Sequence, residues 1–253
     1  MNGDGLRLRA ATWNIRNVAD RWAERKPLLT AAFRELAPDL CGLQEVALTG
    51  DRQDDLLAGV LGGHVRTLAA ESPRFPGFGT AIIVARGEVL AHEVLDLGQG
   101  RTAQRALVAL PGGLTLWFAT THLHHRPGED GVRQAQAERL AAWMDDAPRA
   151  DAEVVAGDFN ARPGEPACRV MERAGFRSAH REANGAEPGR TWPSGIVAPG
   201  MDTEGEPGCL DYLWLRGSVA VERAWLAGTA PAAGDPGLYP SDHFAVAADL
   251  RLG

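Results

Sequence analysis

The sequence predicts an α/β protein in which one sheet packs on another and helices cover the outside. Strand-like apolar runs occur in both halves of the chain, helical patterns fall between them, and no linker-like stretch separates the halves. Strand runs broken by single helices bury their apolar faces by stacking two sheets beneath outer helices. The 253 residues suffice for a substantial core and are expected to form one domain over 1–253.

Residues 6–14 alternate in polarity and read as a strand ending at Asn14. Trp22, Leu28, Leu29, Ala32, Phe33 and Leu36 fall at helical spacing, which predicts a helix over 20–36 stopped by Pro38. A strand over 39–45 and a short helix over 51–61 follow. Strands then come in succession at 65–69, 80–85, 89–96, 106–110 and 114–121, with Pro111-Gly112-Gly113 as a hairpin turn. Leu140, Trp143 and Met144 give 131–145 an apolar helical face. A buried-looking strand over 153–156 leads into Gly157-Asp158-Phe159-Asn160, and 165–174 reads as a short helix. The stretches 184–208 and 230–240 are long loops, which in compact domains usually serve substrates. The last strands are 210–215, 219–227 and 244–250, and no solenoid-like repeat is evident.

The net charge of −7 argues against strong non-specific nucleic-acid binding but leaves a local basic patch open. Lys26 is the only lysine among 26 basic residues, which reads as the coding bias of a GC-rich, bacterial genome. Cys41, Cys168 and Cys209 lack metal-ligand spacing and are expected to be free thiols in a reducing compartment. Residues 1–5 carry no basic leader, and no apolar run approaches the roughly 18 residues of a membrane span. A cytoplasmic location without membrane contact is the expectation.

Chemistry concentrates where apolar runs end. Glu45 closes the Leu40–Leu43 run, and such a glutamate is either capped by a neighbour or holds a cation. Asn14 ends the first strand, where an Asx turn is the alternative reading. Asp158 and Asn160 stand two apart, so in extended chain they point the same way, although a Gly-Asp turn reads equally well. Asp211 begins an apolar strand and could orient the imidazole of His243, which follows Asp242. His122 ends the strongest apolar strand of the middle region, and His124 and His125 read as loop residues. Oxygen ligands beside an imidazole base are what a hard-cation phosphate site requires.

Six segments then follow one another: Thr12-Trp13-Asn14-Ile15, Leu43-Gln44-Glu45-Val46, Thr121-His122-Leu123, Gly157-Asp158-Phe159-Asn160, Leu210-Asp211-Tyr212 and Ser241-Asp242-His243. In this order, with Thr191-Trp192-Pro193 before the fifth, the chain resembles the endonuclease/exonuclease/phosphatase superfamily. Its members include pancreatic-type deoxyribonucleases, abasic-site endonucleases, deadenylases, neutral sphingomyelinases and inositol polyphosphate phosphatases. The resemblance implies a four-layer α/β sandwich, two packed mixed sheets flanked by helices, with the site at one edge of the sheet pair. It implies Glu45 as main ligand of Mg²⁺ (or Mn²⁺), helped by Asn14 and Asp242. It further implies that Asp211 orients His243, that His243 takes the proton of the attacking water, and that Asp158 aligns that water or helps deprotonate it. Asn160 and His122 would donate to the phosphoryl oxygens.

Abasic-site endonucleases carry a tyrosine-containing motif where this chain has Thr121-His122-Leu123, so the deoxyribonuclease, deadenylase and sphingomyelinase branches are the better match. In the deoxyribonuclease branch a glutamate from an earlier strand pairs with the counterpart of His122. The segment Gly77-Phe78-Gly79-Thr80 offers no acid, so that partner stays open.

Arg105 and Arg162 are candidate substrate-binding residues, with Arg101 and Arg126 also near candidate loops. Trp192, Phe78 and Tyr239 are the aromatics available for stacking. The expected activity is hydrolysis of phosphate esters by a monomer, first as a phosphodiesterase or nuclease. A phosphomonoesterase on a small phosphorylated metabolite and a non-catalytic binding module are the alternatives.

Overall fold

The computed structural model describes residues 5–201 and 205–253, so the N-terminal reading at 1–4 and part of the long loop lie outside the described residues. In chain order the first elements are β1 (Leu6–Asn14), α1 (Trp22–Leu36), β2 (Leu40–Ala47), α2 (Gln53–Leu61), β3 (Arg66–Glu71) and β4 (Phe78–Val84). Next come β5 (Glu88–Gly98), β6 (Arg101–Ala109), β7 (Thr115–His122), α3 (Asp130–Asp145), β8 (Ala152–Asp158) and α4 (Pro166–Arg173). The chain closes with β9 (Arg177–Ser178), α5 (Ala179–Asn184), β10 (Asp211–Gly217), β11 (Val219–Ala227) and β12 (Ala245–Leu252).

Two six-stranded mixed sheets form the centre, ordered β11-β12-β1-β2-β4-β3 and β5-β6-β7-β8-β10-β9. Each contains one parallel pair, β1 with β2 and β7 with β8, bridged by α1 and α3 respectively. Between the sheets lies a core that includes Leu8, Leu40, Ile82, Phe118, Val154, Leu213 and Leu250. A second apolar layer joins β7, β8 and β10 to α3 and α4 through Trp117, Leu140, Met144, Met171 and Trp214. A third joins β1 and β2 to α1 and α2 through Trp13, Leu29, Phe33, Leu43 and Leu57. The result is the expected α/β/β/α sandwich.

The sheets approach closely at Gly42, where a Cβ would stand 2.5 Å from Thr120 Oγ1 and 3.1 Å from Ala156 Cβ. Beside it, Gln44 donates to Thr120 Oγ1 at 2.9 Å and to Thr12 Oγ1 at 3.0 Å, a buried polar bridge between the sheets. All three cysteines are free and buried. Among the described residues no helix is long and apolar enough to cross a membrane.

Two elements escaped the sequence reading, β9 and α5, both too short to show a period. β6 begins at Arg101 instead of near 106, because its first half is polar yet buried. There, Gln104 donates to Thr80 Oγ1 at 2.9 Å, so a partner in the other sheet replaces apolar alternation.

Candidate active site

Strand direction gathers the candidate residues at one edge. The parallel pairs bring Asn14, Glu45, His122 and Asp158 to the C-terminal ends of the central strands. β10 and β12 run antiparallel to β8 and β1, so Asp211 at the start of β10 and His243 just before β12 reach the same edge. In register, Asp158 stands between His122 and Asp211.

Glu45 is aimed by an irregularity. β2 shifts register against β4 between Leu43 and Val46, and Glu45 takes φ 53, the left-handed region. Bulges of this kind re-aim a side chain, and such conformations persist only where the surroundings over-determine them. The turned carboxylate receives Asn14 Nδ2 and Asn17 Nδ2, each at 3.2 Å.

Asp158 Oδ2 is the hub of the cluster. It accepts from Asn14 Nδ2 at 3.0 Å and lies 3.5 Å from His122 Nε2 and 3.8 Å from His243 Nε2. The other ring nitrogen of His243 is held by Asp211 Oδ2 at 2.9 Å. Surrounding loops fix these groups. Ser241 Oγ donates to the Asn14 carbonyl at 2.6 Å, and Trp13 Nε1 donates to the His243 carbonyl at 3.0 Å. Thr191 Oγ1 accepts from the Leu210 and Asp211 amides, while the Ser194 amide donates to the Asp242 carbonyl. The Thr191-Trp192-Pro193 motif thus ties β10 to the 241–243 turn.

Burial sets the electrostatics. It pushes Asp158 up to about 7, helped by Asp211 and opposed by the charge of His243. Burial pulls His243 down, but Asp211, Asp158 and Asp242 outweigh it and hold the imidazole at about 10. His122 is driven well below the usual histidine range by burial and by Arg101, so it is neutral at pH 7. The acid nearest to it is Asp158, not a glutamate from an earlier strand.

Three expectations change in detail. Asp158 and Asn160 both line the cavity, but not by strand alternation: Asn160 lies beyond β8 at φ 47 and its amide donates to Asp158 Oδ1 at 2.9 Å. Asn160 Nδ2 donates to the Leu123 carbonyl at 3.1 Å. Asp242 lines the cavity with Arg16 Nη1 3.4 Å away, so its charge is already partly balanced. Arg105 does not line the cavity. Its guanidinium is buried under α3, paired with Glu93 at 2.7 Å and packed on Trp117 and Trp143. With β6 starting at Arg101, Arg105 is a mid-strand residue on the helix-facing side of the sheet, and packing consumes it.

The cavity holds about 740 Å³. Sheet order places Arg101, at the start of β6, on one side of the His122–Asp158 pair, and the β10 side with Arg162 on the other. Arg101 Nη2 meets His125 Nδ1 at 2.9 Å, and Arg162 Nη2 donates to the Glu206 carbonyl at 3.0 Å. Among the described residues neither guanidinium has a carboxylate within ion-pair distance. Phe75 and Phe78, exposed by 53% and 37%, wall the Arg101 end, and Trp192 stands at the Arg162 end, 6.5 Å from the His243 ring. Tyr239 instead packs against Phe244, and Arg126 is not part of the lining. The sequence reading missed Arg16 and Asn17, although they directly follow the Asn14-Ile15 motif.

A cation fits this donor set. Glu45 is a carboxylate capped only by neutral amides, with no cationic side chain in ion-pair range among the described residues. Asp158, Asp211 and His243 also offer donor atoms within 4.8 Å of one another, a buried group that could hold a metal. With one imidazole nitrogen engaged by Asp211, that group suits proton transfer better than a hard, oxygen-seeking ion.

Acids, amides and a carboxylate-held imidazole gathered at a sheet edge make this the candidate active site. Residues 11–243 match the family described as Endonuclease/Exonuclease/phosphatase family, and the chain belongs to it, a family of phosphoester hydrolases. No curated protein matches the sequence. Among solved structures the chain is similar to the human Nocturnin catalytic domain with bound sulfate, at 23% identity and TM-score 0.80, covering 98% of this chain and 94% of that one. It is similar to TDP2 from D. rerio complexed with a single-strand DNA product, at 20% identity and TM-score 0.76, covering 97% and 99%. The Bacteroides thetaiotaomicron mannosyl-6-phosphatase Bt3783 superposes at TM-score 0.77 and 18% identity, covering 96% and 99%. These likenesses establish the shared fold.

Proposed function

We propose that the protein is a Mg²⁺-dependent phosphodiesterase acting on nucleotide-containing esters, with Mn²⁺ able to substitute. The observation that carries this reading is the cavity itself. Two arginines that have no acidic partner among the described residues flank the Asp158 hub, and aromatic side chains stand at both ends. A diester has a group on each side of its phosphorus, and bases stack on aromatic faces. A monoester needs only one such side.

Glu45 and Asn14 would hold the cation, with Asp242 acting beside them through Arg16. When bound, the ion would draw charge from a phosphoryl oxygen. His122, neutral, donates to a second oxygen, and Asn160 contributes its amide. The electrostatics favour Asp158, at about 7, as acceptor of the water proton. His243, protonated at about 10 and held by Asp211, then stabilises the anionic phosphoryl group, a reversal of the role first expected for it.

The test is a panel of phosphate diesters and monoesters assayed with Mg²⁺, Mn²⁺ and chelator, with Glu45→Ala as the control for contaminating nuclease. Diester cleavage is expected in either ion, absent with chelator and in the variant. Monoester release without diester cleavage would replace this reading by a phosphatase.

A further inference from the structure

The loop after β1 is an unusual piece of backbone. Arg16, Asn17, Asp20 and Arg21 all take left-handed φ, at 55, 33, 44 and 61, and none is glycine. Residues with side chains rarely adopt this region, and several close together need an external clamp. Arg25 supplies it. Its fully buried guanidinium donates to the carbonyls of Ile15, Arg16, Asn17, Ala19 and Asp20, at 2.7 to 3.2 Å. One further bond, at 2.9 Å, reaches the carbonyl of Pro240, across the chain from the loop.

Nothing simpler explains this arginine. It sits in the first turn of α1, where the helix dipole disfavours a cation. Among the described residues no carboxylate lies within ion-pair range of it, and burial draws its pKa down to about 10, which leaves it charged at neutral pH. Besides the Trp22 ring, 5.4 Å from the guanidinium carbon, the carbonyls hold it, and their owners carry the site. Asn17 donates to Glu45, Arg16 faces Asp242, and Pro240 leads into Ser241, which anchors the Asn14 carbonyl.

We infer that Arg25 is a positioning residue for the cation site, locking the 15–20 loop and the 240–243 turn in one register so that Asn17 and Arg16 hold Glu45 and Asp242 in place. The inference rests on the cation reading above. A guanidinium is suited to the task because its planar fork reaches several acceptors at once, whereas an ammonium cannot match that geometry.

The test is Mn²⁺ binding to the whole protein, read by electron paramagnetic resonance without substrate, for wild type, Arg25→Lys and Arg25→Gln, each first shown to be folded by its thermal melt. Arg25→Gln is expected to weaken Mn²⁺ binding ~10–100-fold, the loss typical when a group orienting metal ligands is removed. Arg25→Lys should fall between, and the KM for substrate should move less than kcat. A folded Arg25→Gln protein with wild-type Mn²⁺ affinity overturns the positioning role alone. Failure of the wild type to bind Mn²⁺ rejects the cation site and this role together. If neither Arg25 variant folds, Gln53→Met decides, since Gln53 Nε2 holds the Asn17 carbonyl from the other side at 2.8 Å. Weakened Mn²⁺ binding there supports the loop clamp, and an unchanged affinity overturns it.

Discussion

Asp158, His243 and Asp211 form a chain of charge in which every member sets the next. The Asp211 carboxylate raises both of its neighbours, because a second anion nearby makes a proton harder to lose. Activity that needs Asp158 ionised should therefore rise through about pH 7. Asp211→Asn removes the anion that raises Asp158, so the rising limb is expected to move to lower pH. The same change weakens the hold on the imidazole, and kcat should drop about 10²–10³-fold, as when a group that stabilises developing charge is lost. A pH profile of kcat checks both effects. A limb that stays in place while kcat falls would mean that Asp211 orients His243 without governing Asp158.

At the scale of elements, the site depends on how β2 is built. Gly42 admits the opposite sheet, Gln44 bridges to it, and Glu45 turns out of the ladder at the bulge, all within four consecutive residues. Gly42→Ala would press on Thr120 Cβ, 2.8 Å from the new methyl group, and disturb the hydroxyl that receives Gln44. Overpacking of this kind costs about 1–3 kcal/mol, to be read from the midpoint of denaturant unfolding. An unchanged midpoint would mean the sheets can part at this point without loss. Most strands were legible because their buried faces carry Val, Leu and Ala runs between turn residues. The bulge at Glu45 was not, since positive φ at that residue leaves no mark in the sequence, whereas a turn after Gly157 was one of the two readings open there. Arg105 misled for a related reason: the sequence did not show that β6 already runs from Arg101, nor which layer lies over it.

At the scale of the molecule, an acidic chain and a cavity lined by arginines as well as carboxylates make opposing demands on an anionic substrate. The chain carries −7, yet Arg16, Arg101, Arg133 and Arg162 line the cavity, and among the described residues Arg16 and Arg133 are paired with acids while Arg101 and Arg162 are not. That the motif ends would meet at one edge was implied by the family resemblance that the six segments carry, not by the alternation of strands and helices alone. The pairing state of the arginines was not legible, since Glu93, the partner of Arg105, lies on a neighbouring strand and the open sides of Arg101 and Arg162 depend on loops. If those open guanidiniums contact phosphates flanking the scissile one, each should release counterions on binding. For a short single-stranded oligonucleotide, log kcat/KM should then fall with log salt, and each contact removed should flatten the slope by about 0.7. Arg101→Ala and Arg162→Ala measured between low and physiological salt would show this flattening separately. Arg105→Ala, buried under α3, should leave the slope unchanged while lowering stability. Parallel lines for all three variants would place the charge contacts elsewhere and confine the cavity to a single phosphate.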